Sequence, residues 1–302
     1  MNPLLVVTNA SAGSAGDEQV DAALAVLEEH ADVRVESCSD PADLDRVLAS
    51  RDGRTLVVVG GDGSVHLAVD RLLALGELSP TDPLGLVPLG TGNDLARTLG
   101  IPLDPAEAAK ALLSGTARTL DLAVDDAGGV VVNAAHLGVG AEAAERASAL
   151  KKRLGKAAYA VGGVLAGAGA TGWDLRVEVD GEPLPLDEEV LMVGLANGRT
   201  IGGGAELAPD AEPDDGLLDV VVATSTGPLA RLGFGVAMRE GEHVDRDDVH
   251  TVRARTVTVT GDAFPLNADG ELSGPLTSRT WTVRPGAWAV LVPAATSSAG
   301  SG

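Results

Sequence analysis

The chain has 302 residues, 45% of them hydrophobic but only 2% aromatic, so Ala, Val and Leu must fill its cores. It carries 44 acidic against 22 basic residues, a formal charge of −22. That balance argues against non-specific nucleic-acid binding and against a polybasic membrane face, both of which run on Lys and Arg; it fits a solubility role or a high-salt habitat. One cysteine, Cys38, excludes an internal disulfide and Cys-rich zinc sites, and the five histidines (His30, His66, His136, His243, His250) show no metal-ligand spacing. The length allows two domains with real cores.

In chain order, residues 4–7 read as a strand, 17–29 as an amphipathic helix, 33–35 as a second strand and 41–49 as a second helix. The third strand, 55–59, feeds directly into Gly60-Gly61-Asp62-Gly63-Ser64, after which Val65, Ala68, Val69, Leu72 and Leu73 recur at helical spacing. A fourth strand, 84–87, ends in Gly90-Thr91-Gly92-Asn93-Asp94, and a further helix covers 105–113. Asp62-Gly63 alone is a hairpin signal, but the helix period that follows rules the hairpin out here. Glycines let backbone approach a phosphate, and N–H groups at a helix start favour negative charge. Two such loops, each on a strand-to-helix junction, point to a nucleotide. Thr91, Asn93 or Asp94 can also cap the helix that follows, a role compatible with that one. Strand–helix alternation predicts a doubly wound parallel sheet with ligands at the carboxyl ends of its strands.

After Leu122 the pattern changes. Residues 130–132 read as a strand and 141–150 as a helix; 157–170, the longest apolar stretch, is Gly/Ala-rich, too short to span a membrane, and reads as a tightly packed helix. Residues 173–179, 189–195, 217–223, 252–260 and 281–283 read as strands, with turns at Asp180-Gly181, Asp215-Gly216 and Asp269-Gly270. The expected organisation is an α/β domain over 1–122, an antiparallel β-sandwich-like domain over 123–293 and a disordered Ser/Gly/Ala tail over 294–302. Asp121 is read as a cap following a strand or as a residue facing the cleft. Arg97 is assigned to an exposed helix face and His66 to packing or surface. The chain opens Met1-Asn2-Pro3 and enters a strand without a secretory signal, so a cytoplasmic protein is expected.

An ordered series runs through the whole chain: Asn9-Ala10-Ser11-Ala12-Gly13, the two glycine loops with Leu95-Ala96-Arg97 after the second, Asp121-Leu122, Asn197-Gly198 through Gly202-Gly203-Gly204, Pro209-Asp210-Ala211, Asp214-Asp215-Gly216-Leu217-Leu218-Asp219 and Asp269-Gly270-Glu271. In this series the chain resembles the diacylglycerol kinase catalytic family, the lipid kinases that include sphingosine and ceramide kinases, and its bacterial members in particular. The resemblance implies an N-terminal domain like that of NAD kinase and phosphofructokinase, an ATP site, and transfer of the γ-phosphate to a lipid hydroxyl. Asn9, Ser11 and Gly13, with Gly60, Gly61, Asp62, Gly63 and Ser64, would hold the phosphates. Gly90, Thr91, Gly92, Asn93 and Asp94 would complete the nucleotide site, with Thr91 contacting nucleotide, and Ser39 lies near a further nucleotide-contacting hydroxyl. Glu271 matches the family's proton acceptor. Asp215 matches a Mg²⁺ ligand, with the backbone carbonyls of Glu212 and Leu217 beside it.

These residue types suit the chemistry. Phosphoryl transfer is mostly positioning and charge neutralisation. An alcohol is a poor nucleophile, so a carboxylate such as Glu271 should take its proton. Asp62 can bind Mg²⁺ directly or through water, because hard cations prefer oxygen. Taken alone, Asp269-Gly270-Glu271 and Asp214-Asp215-Gly216 are ordinary turns; the ordered context gives them function. The chain departs from the family at Ala10, where Pro is frequent, at Ser14, where a basic residue is common, and at His66-Leu67, where Asn-Glu is common. The leading expectation is a Mg²⁺- and ATP-dependent kinase making phosphatidic acid from diacylglycerol, cytoplasmic or peripheral at the inner membrane face. The alternatives are a kinase for another lipid (sphingoid, ceramide or phosphatidylglycerol) or for a soluble alcohol, and a nucleotide-binding lipid sensor with little transfer activity. No nucleic-acid partner is expected, and a homodimer is compatible with the sequence.

Overall fold

A computed structural model describes residues 3–9, 14–138, 172–224 and 227–294. The loop over 10–13, with Ser11 and Gly13, the helices expected over 141–150 and 157–170, and the tail over 295–302 lie outside the described residues. The chain divides into two compact units: Asp121–Pro285 forms one, and the chain on either side of it forms the other. The division falls inside two strands, each of which passes from one unit to the other.

The first unit is built from β1 (Leu4–Asn9), α1 (Ser14–His30), β2 (Val33–Cys38), α2 (Pro41–Ala49), β3 (Thr55–Gly60), α3 (Asp62–Leu75), β4 (Gly85–Pro88), α4 (Asp94–Thr98) and α5 (Pro105–Ser114). Its four strands are parallel in the order β2-β1-β3-β4. Leu4, Leu5 and Val6 of β1 and Leu56 to Val59 of β3 are buried, as strands covered on both faces must be. Helix α2 packs with α3, and α1 with α5. The helix starts are written in the sequence. Asp40 accepts from the Asp43 N–H at 2.8 Å with Pro41 in the first turn, and Asp104 accepts from the Glu107 N–H at 3.0 Å with Pro105 after it. Successive crossovers leave β1 and β3 toward opposite sides of the sheet. Their carboxyl ends are therefore the switch point where such sheets bind ligands.

The second unit follows from β5 (Thr116–Asp125), β6 (Val130–Val131), β7 (Ala134–Gly138), β8 (Leu175–Val179), β9 (Glu182–Pro183), β10 (Met192–Ala196), β11 (Thr200–Ile201), β12 (Ala205–Glu206), β13 (Leu218–Ala223), α6 (Pro228–Glu240), β14 (Val249–Ala254), β15 (Thr256–Ala268) and β16 (Glu271–Val292). The main path runs β14-β13-β10-β7-β15-β16-β5-β6, with β8 on β15 and β9 on β8. One face buries Leu137, Val193, Leu195, Val220, Phe264 and Trp281 among others; the other packs Met192, Ala196 and Val221 under Leu207 and Phe234. The tip of the β15–β16 hairpin is Asp269-Gly270, both at positive φ (50° and 97°), the conformation of a tight hairpin turn. Beyond Gly286 the last strand belongs to the first unit, where Val290 bridges Leu84 in parallel.

The fold is the one expected, a parallel α/β unit and an antiparallel sheet unit, with local corrections. Residues 252–260 are not one strand. The Asp180 carboxylate accepts from the Arg255 and Thr256 N–H groups at 2.9 and 2.8 Å and turns the chain between β14 and β15. Asp121 is not a cap; it lies buried inside β5. Strand β7 escapes notice because Ala, His and Gly have weak strand preference. Phe264→Ala should destabilise the protein by about 3–5 kcal/mol through loss of a fully buried ring, as read by urea denaturation followed by circular dichroism.

Candidate active site

In the first unit the sheet register aligns the strand ends. Asn9 stands opposite Cys38, Thr8 opposite Val59, and Gly60 opposite Pro88. Asn9, Ser39 and both glycine loops therefore share one edge of the sheet. The loops meet backbone to backbone: a Cβ on Gly61 would lie 2.8 Å from the Gly90 Cα, and a Cβ on Gly90 would lie 2.6 Å from the Gly61 Cα. A Cβ on Gly63 would meet nothing within 4 Å, so the first turn of α3 faces open space there. Gly61 caps α3 without a side-chain bond, and the first N–H groups of a helix have no acceptor within it.

Two side chains hold this geometry. Asn93, in the left-handed region at φ 53°, accepts from the Gly90 N–H at 2.8 Å and donates to the Gly90 carbonyl at 2.9 Å. Asp62 Oδ1 accepts from the Leu95 N–H at 3.0 Å, tying the start of α3 to the start of α4. Asp94 is buried beside Asn93, Thr91 is exposed, and exposed Arg97 donates from Nε to the Gly92 carbonyl at 3.2 Å. Ser39 has local work as well: its N–H and hydroxyl both donate to the Asp43 carboxylate. Those bonds, with Arg46 nearby, hold the Asp43 carboxyl below its ordinary range. A triphosphate fits this edge by the nature of its donors, which are backbone N–H groups lined by glycine at a helix start.

In the second unit, Glu271 is exposed and opens β16 directly after the hairpin turn. The turn is anchored by the Asp269 side chain, whose partners a turn signal alone does not name. Its Oδ2 accepts from the Val132 N–H at 2.7 Å and its Oδ1 from the Asn133 and Ala134 N–H groups, each at 2.9 Å. Asn267 Oδ1 accepts from the Gly270 N–H at 2.8 Å. Asn197 donates from Nδ2 to the carbonyls of Val132 (2.8 Å) and Asp121 (3.2 Å), and Asn133 donates to the Thr200 carbonyl at 2.9 Å. The Asp121 carboxylate in turn accepts from the Gly216 N–H at 2.6 Å, at the head of the Asp215 turn.

Asp215 Oδ1 accepts from the Leu217 N–H at 3.0 Å, and its other oxygen pairs with Arg253. Asp219 has a buried Oδ2 with no hydrogen-bond partner. Burial first, then repulsion from Asp210 and Glu212, pushes its carboxyl up to about 6. An excess of carboxylate oxygen with one orphaned acceptor fits a hard divalent cation. Asp215 would exchange Arg253 for such an ion, with the Glu212 and Leu217 carbonyls as the remaining ligands. Among the described residues no preformed group of three His, Cys, Asp or Glu ligands stands ready for a metal. Asp219 closes a motif of the ordered series, but Arg253 had no sequence signal of its own, because their meeting depends on the pairing of β13 with β14. Asp269→Ala should cost about 3 kcal/mol in urea denaturation at 25 °C, since it leaves three partly buried N–H groups without their charged acceptor.

Residues 3–124 match the diacylglycerol kinase catalytic domain, and residues 133–292 match the YegS C-terminal NAD kinase beta sandwich-like domain. The chain is 36% identical over 292 residues to a probable lipid kinase YegS-like protein of Pseudomonas aeruginosa, covering 93% of this chain and 91% of the relative. It is 32% identical to a diacylglycerol kinase of Mycobacterium tuberculosis over 79% of this chain and 76% of that one. A crystal structure of a putative diacylglycerol kinase from Bacillus anthracis superposes with a TM-score of 0.74 at 21% identity, covering 96% of this chain and 97% of that one. Among the described residues no helix is long and apolar enough to cross a membrane.

Proposed function

This chain belongs to the diacylglycerol kinase catalytic family of bacterial lipid kinases, and we propose that it transfers the γ-phosphate of ATP to the free hydroxyl of diacylglycerol, giving phosphatidic acid. The observation that supports this reading is the backbone-to-backbone seating of the two glycine loops at the start of α3, an approach that a Cβ on either Gly61 or Gly90 would block. Phosphates bind there through N–H groups of the loops and through the partial positive charge of the helix start. Asp62 keeps the two loops in register.

Glu271 takes the proton of the acceptor hydroxyl as its oxygen bonds to phosphorus. The bond from phosphorus to the β–γ bridging oxygen breaks, and ADP leaves. A flexible surface carboxylate would serve poorly as a base; here the Asp269 clamp fixes the turn that carries it. Mg²⁺, when bound, neutralises charge on the phosphates and on the acidic groups around Asp62 and Asp215. The acceptor is reached at a membrane surface, and a neutral diacylglycerol suits a chain of charge −22 better than an anionic lipid does.

The test is phosphorylation of dioleoylglycerol in mixed micelles with labelled ATP and Mg²⁺. Wild type should form phosphatidic acid. Glu271→Gln should lower kcat by about 10²–10⁴-fold while leaving the affinity for a non-hydrolysable ATP analogue unchanged. A Glu271→Gln enzyme with wild-type turnover removes the proton-acceptor role. Gly61→Ala should do the reverse in kind: its Cβ pushes Gly90 away, so calorimetric titration should show analogue affinity falling at least about tenfold, the equivalent of ~1.4 kcal/mol.

A further inference from the structure

Asp219 on β13 and Arg253 on β14 are register partners, so their side chains share one face of the sheet. The Arg253 guanidinium faces two carboxylates there. One of its terminal nitrogens pairs with Asp215 Oδ2, and its Nε lies 3.6 Å from Asp219 Oδ1. Exposure divides the three unequally. The Asp215 and Asp219 side chains are 22% and 16% exposed, whereas that of Arg253 is 47% exposed. The carboxylates are fixtures, and the guanidinium is free to leave for water.

The turn that carries Asp215 is held without help from Arg253. Asp215 Oδ1 accepts from the Leu217 N–H at 3.0 Å, the Asp121 carboxylate accepts from the Gly216 N–H at 2.6 Å, and the Asp121 N–H donates to the Pro213 carbonyl at 2.7 Å. Asp210 and Glu212 add repulsion at Asp219. Arg199, also at this loop, donates from Nε to the Ala211 carbonyl at 3.1 Å. Arg253 therefore offsets with a single charge what a divalent ion would offset with two. It does so through an exposed pair, a kind that contributes little to stability and is readily broken.

Resting on the cation reading of the Asp215 turn, we propose that Arg253 is a built-in competitor for that site: its guanidinium stands in for the divalent cation, and it swings into solvent when Asp215 and the flanking carbonyls of Glu212 and Leu217 take up the ion. Arg253 thus sets how much free Mg²⁺ the second unit needs. A site that its own side chain closes for about nine-tenths of the time binds about tenfold more weakly than the open site. The same guanidinium screens Asp215 from Asp219 while no ion is bound, so the acidic turn keeps its shape in the metal-free protein.

The experiment titrates Mg²⁺ by calorimetry into wild type, Arg253→Met and Arg253→Gln, without nucleotide or lipid, in about 0.15 M KCl to screen the acidic surface. Asp215→Asn, which lacks the ligand carboxylate, marks the heat that belongs to this turn. Both Arg253 variants should bind Mg²⁺ about tenfold more tightly than wild type. Arg176→Met, which removes the same charge from an exposed place on β8, should shift the affinity less than about twofold. In thermal denaturation the Arg253 variants should melt below wild type without Mg²⁺ and reach its Tm at saturating Mg²⁺. Variants that bind no more tightly, with a lowered Tm that persists at saturating Mg²⁺, reduce Arg253 to a surface ion pair and overturn the proposal while the cation reading stands. An equal gain in Arg176→Met ascribes the effect to net charge and overturns it too. If Arg253→Met does not fold, the affinity of Arg253→Gln decides alone. A titration that Asp215→Asn leaves unchanged removes the cation from this turn, and the proposal falls with that reading; the kinase reading is judged separately, by the phosphatidic acid formed in micelles.

Discussion

The contact of Gly61 with Gly90 is the constraint on which the first unit's candidate site depends. Two strand ends are neighbours in the sheet, and the loops leaving them approach so closely that a single methyl group on either would force them apart. Nothing in glycine itself holds such a contact together, since glycine supplies only permission. The holding comes from polar side chains that spend their hydrogen bonds on backbone: Asn93 on both polar groups of Gly90, and Asp62 on the Leu95 N–H. The result is a rigid edge of N–H donors, and rigidity matters because phosphoryl transfer gains most of its rate from positioning.

The second unit solves its own positioning problem the same way. The Asp269 carboxylate fastens the hairpin tip to the β6–β7 turn through three N–H groups, and Asn267 fastens the following glycine. Glu271 is thereby left exposed yet carried on backbone with little freedom. Aspartate in the Asp-Gly-Glu motif spends its carboxylate on backbone, and glutamate is left exposed. The difference is set by the donors each one faces, which sequence spacing cannot display.

Much of this was legible before any coordinates. The four parallel strands and the helices between them follow from apolar periodicity punctuated by Gly and Pro, and α2 falls on the residues expected because Asp40 and Pro41 define its start. The glycine loops could be located at their strand-to-helix junctions. Their mutual contact could not, because it depends on β3 and β4 being sheet neighbours. In the second unit the turns were plain, but β7 was hidden by its Ala-Ala-His-Leu-Gly sequence, and with it the place of His136. Strands β14 and β15 read as one on β-branched composition, although the apolar alternation changes phase at Arg255, with Val252 and Ala254 before it and Val257 and Val259 after; the Asp180 side chain, distant in sequence, makes the break. Arg253 likewise acquired meaning only once cross-strand register set it against Asp219 and beside Asp215.

Charge ties these local features to the choice of ligand. A chain with twice as many acids as bases repels anions over its surface, so an anionic substrate must be met by concentrated positive potential. In the first unit such potential is offered by the backbone N–H groups at the start of α3, with Ser14 standing where a basic residue is common in the family. In the second unit burial first, then repulsion from Asp210 and Glu212, pushes the Asp219 carboxyl up to about 6. The two units thus differ in what they offer a ligand: backbone N–H groups at a helix start in one, and carboxylate oxygen around Asp215 and Asp219 in the other.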